Sequence, residues 1–300
     1  MSKKITFLAK LSLGIILIIF LLRQIDLSIL WQTLSSVKPA HLVLFLLLYP
    51  FSVWLSTTKW RLILKHYSLD LSMAKLYRLY WLGSFYNNFL PTDFGGDVYK
   101  FFKLSKLKKN KTQITSSLFL ERLFGLVALL LVACLTGIWF ISLTNNVWVI
   151  GIYLASWLGL LVLLNHSIVL KSVAQIYPNI TKPLIDRLTI SNKISQQSLV
   201  LSIVFVLQAI LAHWLLFLAF GVNINLGLLS FLIPTIALTG LLPFTPNALG
   251  LREGFGVFLF QEFGVSSEVT LAVLLLARTL ILLENIGGAF LIYCFRKTYS

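Results

Sequence analysis

The chain has 300 residues, 58% of them hydrophobic and 12% charged, with a mean hydropathy of +0.89. Soluble globular chains run at roughly 45–50% apolar and about 25% charged. A stand-alone soluble enzyme, a disordered tail and a secreted disulfide scaffold are thereby excluded, and an all-α polytopic membrane protein is expected. The formal charge of +15 does not point to nucleic acid, because the Lys and Arg residues sit in short stretches between apolar runs, the pattern that orients membrane proteins.

Crossing the hydrocarbon layer takes about 20 helical residues. Six runs meet that length: Ile5–Leu22, Ala40–Thr57, Ile114–Leu143, Val147–His166, Leu199–Gly221 and Glu268–Phe295. The first has a basic start but no small-residue cleavage site after it, so it is expected to stay as a span. The third and sixth are longer than a span needs and should tilt or protrude. Trp31, Trp54, Trp60, Trp148 and Tyr153 lie near predicted span ends and read as interface anchors.

Two further apolar stretches carry helix breakers. Residues 77–104 are interrupted by Asn87, Asn88, Pro91, Asp93, Gly95, Gly96 and Asp97. Residues 226–263 are interrupted by Pro234, Pro243, Pro246, Asn247, Gly250, Arg252 and Glu253. Broken backbone at membrane depth is tolerated only inside protein or beside a water-filled cavity. Basic clusters flank the first stretch on both sides: Lys59, Arg61, Lys65, Lys75 and Arg78 before it, Lys100 to Lys111 after it. It is therefore expected to enter and leave on the cytoplasmic face, and the second from outside. With both termini inside, 20 Lys/Arg lie inside, two outside (Arg23, Lys38) and three at membrane depth (Arg122, Arg252, Arg278), the full 25. Residues 167–197 read as a cytoplasmic connection.

The predicted architecture is thus six full spans plus two re-entrant hairpins in one transmembrane domain. Its halves, about 1–146 and 147–300, echo each other as an inverted repeat. Paired helix-broken segments in corresponding positions are a pointer to a transporter site.

Ionisable residues inside a membrane cost roughly 2.5–3.5 kcal/mol each at a helix centre, so each needs a partner or a function. The set is Asp93, Asp97, Glu121, Arg122, Arg252, Glu253, Arg278 and Glu284. Glu121 and Arg122 diverge by about 100° as helix neighbours, so one is expected to face the first hairpin and the other elsewhere. Arg278 and Glu284 are not spaced to pair with each other, and the hairpins are their expected partners. Gly95 and Gly96 expose backbone N–H groups at the start of a half-helix, which attracts anions. Asp97 opposes that unless Lys100 neutralises it, and Lys100 and Lys103 are expected at the headgroup level. A buried ion-pair network that only fixes helix packing would use the same residue types. His41, His66, His166 and His213 are scattered, with no metal-ligand spacing, and no nucleotide loop is present. No cofactor or metal is expected, and no enzymatic activity.

Gly83-Ser84-Phe85-Tyr86-Asn87-Asn88-Phe89-Leu90-Pro91-Thr92, followed by Gly95-Gly96-Asp97, resembles the signature of the lysylphosphatidylglycerol synthetase/flippase transmembrane-region family. Glu121-Arg122, Pro243 and Gly250 to Glu253 fit the same pattern. The resemblance covers essentially all of the chain, as the membrane part without the aminoacyl-transferring domain. It implies a multi-pass protein of the cytoplasmic membrane that moves or handles lipids between leaflets. Lys100 stands where an Arg is expected after the GGD, which removes a bidentate phosphate fork. Asn247-Ala248 replaces a glycine-rich turn.

Together these readings predict a lipid translocase with a cavity lined by Asn87, Asn88, Asp93, Asp97, Glu121, Arg122, Arg252, Glu253, Arg278 and Glu284. The arginines would bind phosphate, and the carboxylates an amine or a proton. Two alternatives stay open. One is an accessory protein that presents a lipid to a glycosyltransferase or other lipid-modifying enzyme. The other is a membrane enzyme acting on lipid phosphate. A homo-oligomer is left open, and a nucleic-acid partner is not expected.

Overall fold

The computed structural model describes residues 3–24, 37–89, 95–106, 110–164, 190–242 and 244–294. Within these the regular elements are all helical. They are α1 Lys3–Gln24, α2 Pro39–His66, α3 Met73–Phe89, α4 Gly95–Ser105, α5 Lys111–Phe140, α6 Val147–Leu164, α7 Asn192–Ala219, α8 Leu226–Ala237, α9 Leu251–Glu262 and α10 Ser267–Cys294. Short 3₁₀ turns follow α5 and α8, and another, Pro246–Ala248, precedes α9.

Each of the six predicted spans coincides with a helix. Four of these, α2, α5 with its 3₁₀ extension, α7 and α10, are long and apolar enough to cross a membrane. Only 33–39% of their apolar windows is buried inside the protein. The rest is an outward apolar surface that includes Leu47, Phe51, Trp139, Leu207 and Phe290. Soluble proteins do not expose apolar area so widely, so lipid is the solvent of this surface and the chain is a helical membrane protein.

Several boundaries differ from the sequence expectation. α2 runs on past Thr57 to His66, so Lys59 and Arg61 belong to a helix rather than to a loop. α3 continues through Asn87 and Asn88 to Phe89, because Asn88 Nδ2 donates back to the Ser84 carbonyl instead of breaking the helix. The polar residues 192–197 form the first turns of α7, capped by Ser191; residues 167–189 of the predicted connection lie outside the described residues. Trp60 and Tyr153 are buried, whereas Trp54 and Trp148 face outward; Trp31 lies outside the described residues.

The core forms where α2, α5, α7, α8, α9 and α10 meet, around Phe217, Phe231, Leu232 and Phe260. α2 and α7 pack antiparallel. Lys38 N donates to the Ala219 carbonyl at one end, and Ser52 Oγ donates to Gln208 Oε1 at 2.5 Å in the middle. α3 and α4 form an antiparallel pair, as do α8 and α9. In the first pair Gly83 lies against Gly96 so closely that a Cβ on Gly96 would collide with the Gly83 carbonyl. α3 also packs on α10, and α8 on α5.

Candidate functional site

The first helix pair delivers its polar residues to one place. Asn87, near the end of α3, accepts a hydrogen bond from Gly96 N at 2.5 Å. That fills an open donor at the start of α4, so the Gly96 N–H is already satisfied. Asp97 in the first turn of α4 pairs with Lys100 at 2.8 Å and with Arg122 of α5. Lys100 Nζ also reaches Glu121 Oε2 at 3.3 Å, and Tyr80 donates to Glu121 Oε1 at 2.8 Å.

Glu121 and Arg122 therefore both engage this cluster, against the expectation that they would face apart. The reason is reach: two long side chains on adjacent helical positions converge on a partner helix that lies between their directions. Lys100 is 4% exposed, and its ammonium lies 4.2 Å from the Tyr80 ring centre and 5.0 Å from that of Trp60. Cation–π contact and two carboxylates compensate its burial. Lys103 is exposed.

A cavity of about 230 Å³ opens beside the cluster, lined by Asn87, Gly96, Asp97, Lys100, Glu121 and Arg122 from the predicted set. It is also lined by Ser56, Lys59, Tyr80, Ser84 and Ser202, which sequence reasoning missed. In the sequence Lys59 reads as an orientation signal; its signal as a site residue is its place on one helical face with Ser52 and Ser56, at i, i+4 and i+7. A second cavity, also about 230 Å³, shares Ser56, Tyr80, Ser84 and Phe205 with the first. It continues along Phe45, Val53, Ala212 and Ile281, mostly apolar in surface, with Tyr49, Ser52, Gln208 and His213 also in its wall.

Of the other predicted residues, Asn247, Glu253 and Arg278 form a separate cluster. Arg278 Nε donates to Glu253 Oε1 at 2.6 Å, and its terminal nitrogens lie 3.1 and 3.4 Å from the Asn247 and Ala248 carbonyls. Glu253 Oε2 accepts from Gly250 N at 2.8 Å. Asn247 and Ala248 have φ values of 49° and 50°, the left-handed region that favours glycine. Arg278 holds the carbonyls of that turn, which answers how Asn-Ala stands where glycine was expected. Arg252, Glu253, Arg278 and Glu284 do not line the charged cavity. Glu284 Oε2 has no hydrogen-bond partner among the described residues, while the Glu284 carbonyl accepts from Trp81 Nε1.

The clusters touch where Asn247 Nδ2 donates to Asn88 Oδ1 at 3.4 Å. In both, an acid in the first turn of a helix pairs with an arginine 25 residues later. Pro91, Asp93 and Pro243 lie outside the described residues.

Comparison with known proteins agrees with this membrane architecture. The chain is 24% identical to the UPF0104 membrane protein MJ1595 of Methanocaldococcus jannaschii, over 89% of this chain and 88% of that one. The family profile described as lysylphosphatidylglycerol synthase TM region matches residues 7–284. With nearly the whole sequence matched, and Gly96, Asp97, Glu121 and Arg122 gathered at one cavity, the chain belongs to the lysylphosphatidylglycerol synthase TM region family.

Proposed function

We propose that the protein is a lipid translocase of the cytoplasmic membrane, moving a lipid with a polar headgroup between leaflets. One observation carries this reading: a charged cavity continues directly into an apolar one inside a helical membrane protein. From Lys59 to Phe45 along α2 is about 21 Å, at 1.5 Å per residue. That is about two-thirds of the hydrocarbon thickness. An amphiphile matches such a polarity gradient, with its headgroup among the charges and its linkage and chains toward the apolar end. All four oxygens of Asp97 and Glu121 are engaged by Lys100, Arg122 and Tyr80. Carboxylates so occupied favour holding a ligand over acting as a base on it.

The reading includes two re-entrant hairpins and an inverted repeat. α4, α8 and α9 have 11, 12 and 12 residues, about 16–18 Å of helix, too short to cross about 30 Å. Ser52 and Gln208 are 156 residues apart and in contact. The same shift carries Asp97 onto Glu253 and Arg122 onto Arg278. It also brings the starts of α2 to α5 within three residues of the starts of α7 to α10. The contact of α3 with α10 is reciprocated by that of α8 with α5. Because α2 and its counterpart α7 run antiparallel, a two-fold rotation relating them inverts one unit against the other. Repeats of this kind place substrate sites at their interface.

Lipid scrambling in proteoliposomes tests the proposal, with fluorescent anionic, zwitterionic and polyprenyl-phosphate probes. The wild type is expected to flip at least one probe, and Asp97→Asn and Arg122→Gln to slow it tenfold or more. Folded protein that binds a lipid but flips none would replace translocation by presentation of that lipid to a separate enzyme.

A further inference from the structure

The charged cavity holds one cation too many. Its lining carries Lys59, Lys100 and Arg122 against Asp97 and Glu121. Both oxygens of each carboxylate are already taken, by Lys100, Arg122 and Tyr80. Lys59 is 7% exposed and has neither a hydrogen bond nor an ion pair among the described residues. Its Nζ lies 3.8 Å from where a side chain on Gly125 would begin, one turn of α5 beyond Glu121, so the absence of a side chain at Gly125 leaves the space around the ammonium open. An ammonium in such a setting without a partner is destabilising. The other members of the cluster show what compensation looks like there: Lys100 has two carboxylates and two aromatic rings.

We infer that Lys59 is the anchor for a ligand carrying a single negative charge, a monoanionic phosphodiester, and that it sets the charge preference of the cavity. One added negative charge brings the cluster to neutrality. Ser56 and Ser202 line the same cavity and offer hydroxyl donors to the remaining phosphate oxygens. A phosphodiester fits this role better than a phosphomonoester, whose second charge would leave the site negative. A zwitterionic headgroup would return a cation to a site that has just lost its excess. The inference rests on the lipid-handling reading for where the ligand comes from, but its charge is read from Lys59 alone.

The full chain, purified in neutral detergent, is titrated with dioctanoyl phosphatidylglycerol, dioctanoyl phosphatidylcholine and tail-free glycerophosphoglycerol. Calorimetry and tryptophan fluorescence read the binding. The anionic lipid is expected to bind at least tenfold more tightly than the zwitterionic one. Lys59→Met should weaken it tenfold or more and erase the preference, and Lys59→Arg should stay within about threefold of wild type, since it keeps the charge. Ligand-free Lys59→Met should melt no lower than wild type, because it removes an uncompensated charge; that separates lost binding from lost fold. Glycerophosphoglycerol binding that depends on Lys59 would assign the site to the phosphodiester itself. Binding of the lipid alone would assign it to the intact lipid. Equal affinities for the two lipids, unchanged binding by Lys59→Met, or no binding to folded wild type would each overturn the inference. Lys59-dependent binding without flipping would leave it standing and remove translocation. Flipping with Lys59-independent binding would do the reverse.

Discussion

Arg278 reaches three acceptors on the turn before α9: the Glu253 carboxylate and the carbonyls of Asn247 and Ala248. Glu253 has a side chain that is 1% exposed, so its charge depends on this partner. Removing one member of a buried pair typically costs 3–5 kcal/mol, because the other charge stays behind uncompensated. Two residues in the left-handed region add strain on the order of 1–3 kcal/mol each that the arginine helps to hold. Arg278→Met is therefore expected to lower unfolding stability by about 3–5 kcal/mol. The double variant Glu253→Gln/Arg278→Met should recover part of that loss, since no charge is then stranded. Unfolding in mixed dodecyl maltoside and dodecyl sulfate micelles measures both. A loss under about 1 kcal/mol for the single variant would mean that water already solvates the pair. Lys59 is the contrasting case at this scale: a buried cation whose removal leaves nothing stranded.

The helices were legible from the sequence because a membrane demands about 20 apolar residues in a row, and each predicted span became a helix. Boundaries were less legible where a helix continues into polar sequence. α2 extends to His66 through Lys59 and Arg61, and charge alone does not say whether a lysine beside a span end points out to water or back into the protein. That direction depends on what packs opposite, here Gly125 of α5, which one sequence does not reveal. The Asp97–Lys100 and Asp97–Arg122 pairs could be anticipated from spacing and hairpin position; the separation of the second cluster from the cavity could not. Outside the spans, Glu262 at the end of α9 accepts from Thr144 at 2.5 Å and from Asn146 at 3.0 Å. It thereby ties the α5–α6 turn to the second hairpin. These hydrogen bonds hold its carboxyl below the usual glutamate range. A folded-state pKa below the unfolded one gives stability that is complete above the unfolded value, about 4.3 for glutamate. That stability is lost as pH falls through the folded value. The difference in melting temperature between wild type and Glu262→Gln should be flat from about pH 6 to 8 and shrink below about pH 4. A difference that grew toward low pH would reverse the assignment.

At the scale of the whole molecule, the antiparallel packing of α2 on α7 makes a definite statement about sidedness. If the two four-helix units are inverted copies, the ends of the α3–α4 pair lie on one face of the membrane and the ends of the α8–α9 pair on the other. By the basic residues around the first pair, its face is expected to be the cytoplasmic one. Single cysteines test this after the native Cys134 and Cys294 are replaced by serine. Ser72→Cys and Lys106→Cys bracket the first pair, and Asn223→Cys and Ser266→Cys bracket the second; all four positions are exposed. With a membrane-impermeant maleimide on intact cells, the 223 and 266 positions are expected to label directly. The 72 and 106 positions should label only after permeabilisation. If 72 and 106 labelled from opposite faces, the first pair would be a crossing segment, and the short α4 would need further chain to complete a span. If all four labelled from one face, the units would not be inverted. The Asp97–Arg122 and Glu253–Arg278 pairs would then be a recurrence of spacing without symmetry. The expected pattern would instead put each acid–arginine pair on a hairpin entering from its own side, with the cavity at Lys59 beside the helices where the two units meet.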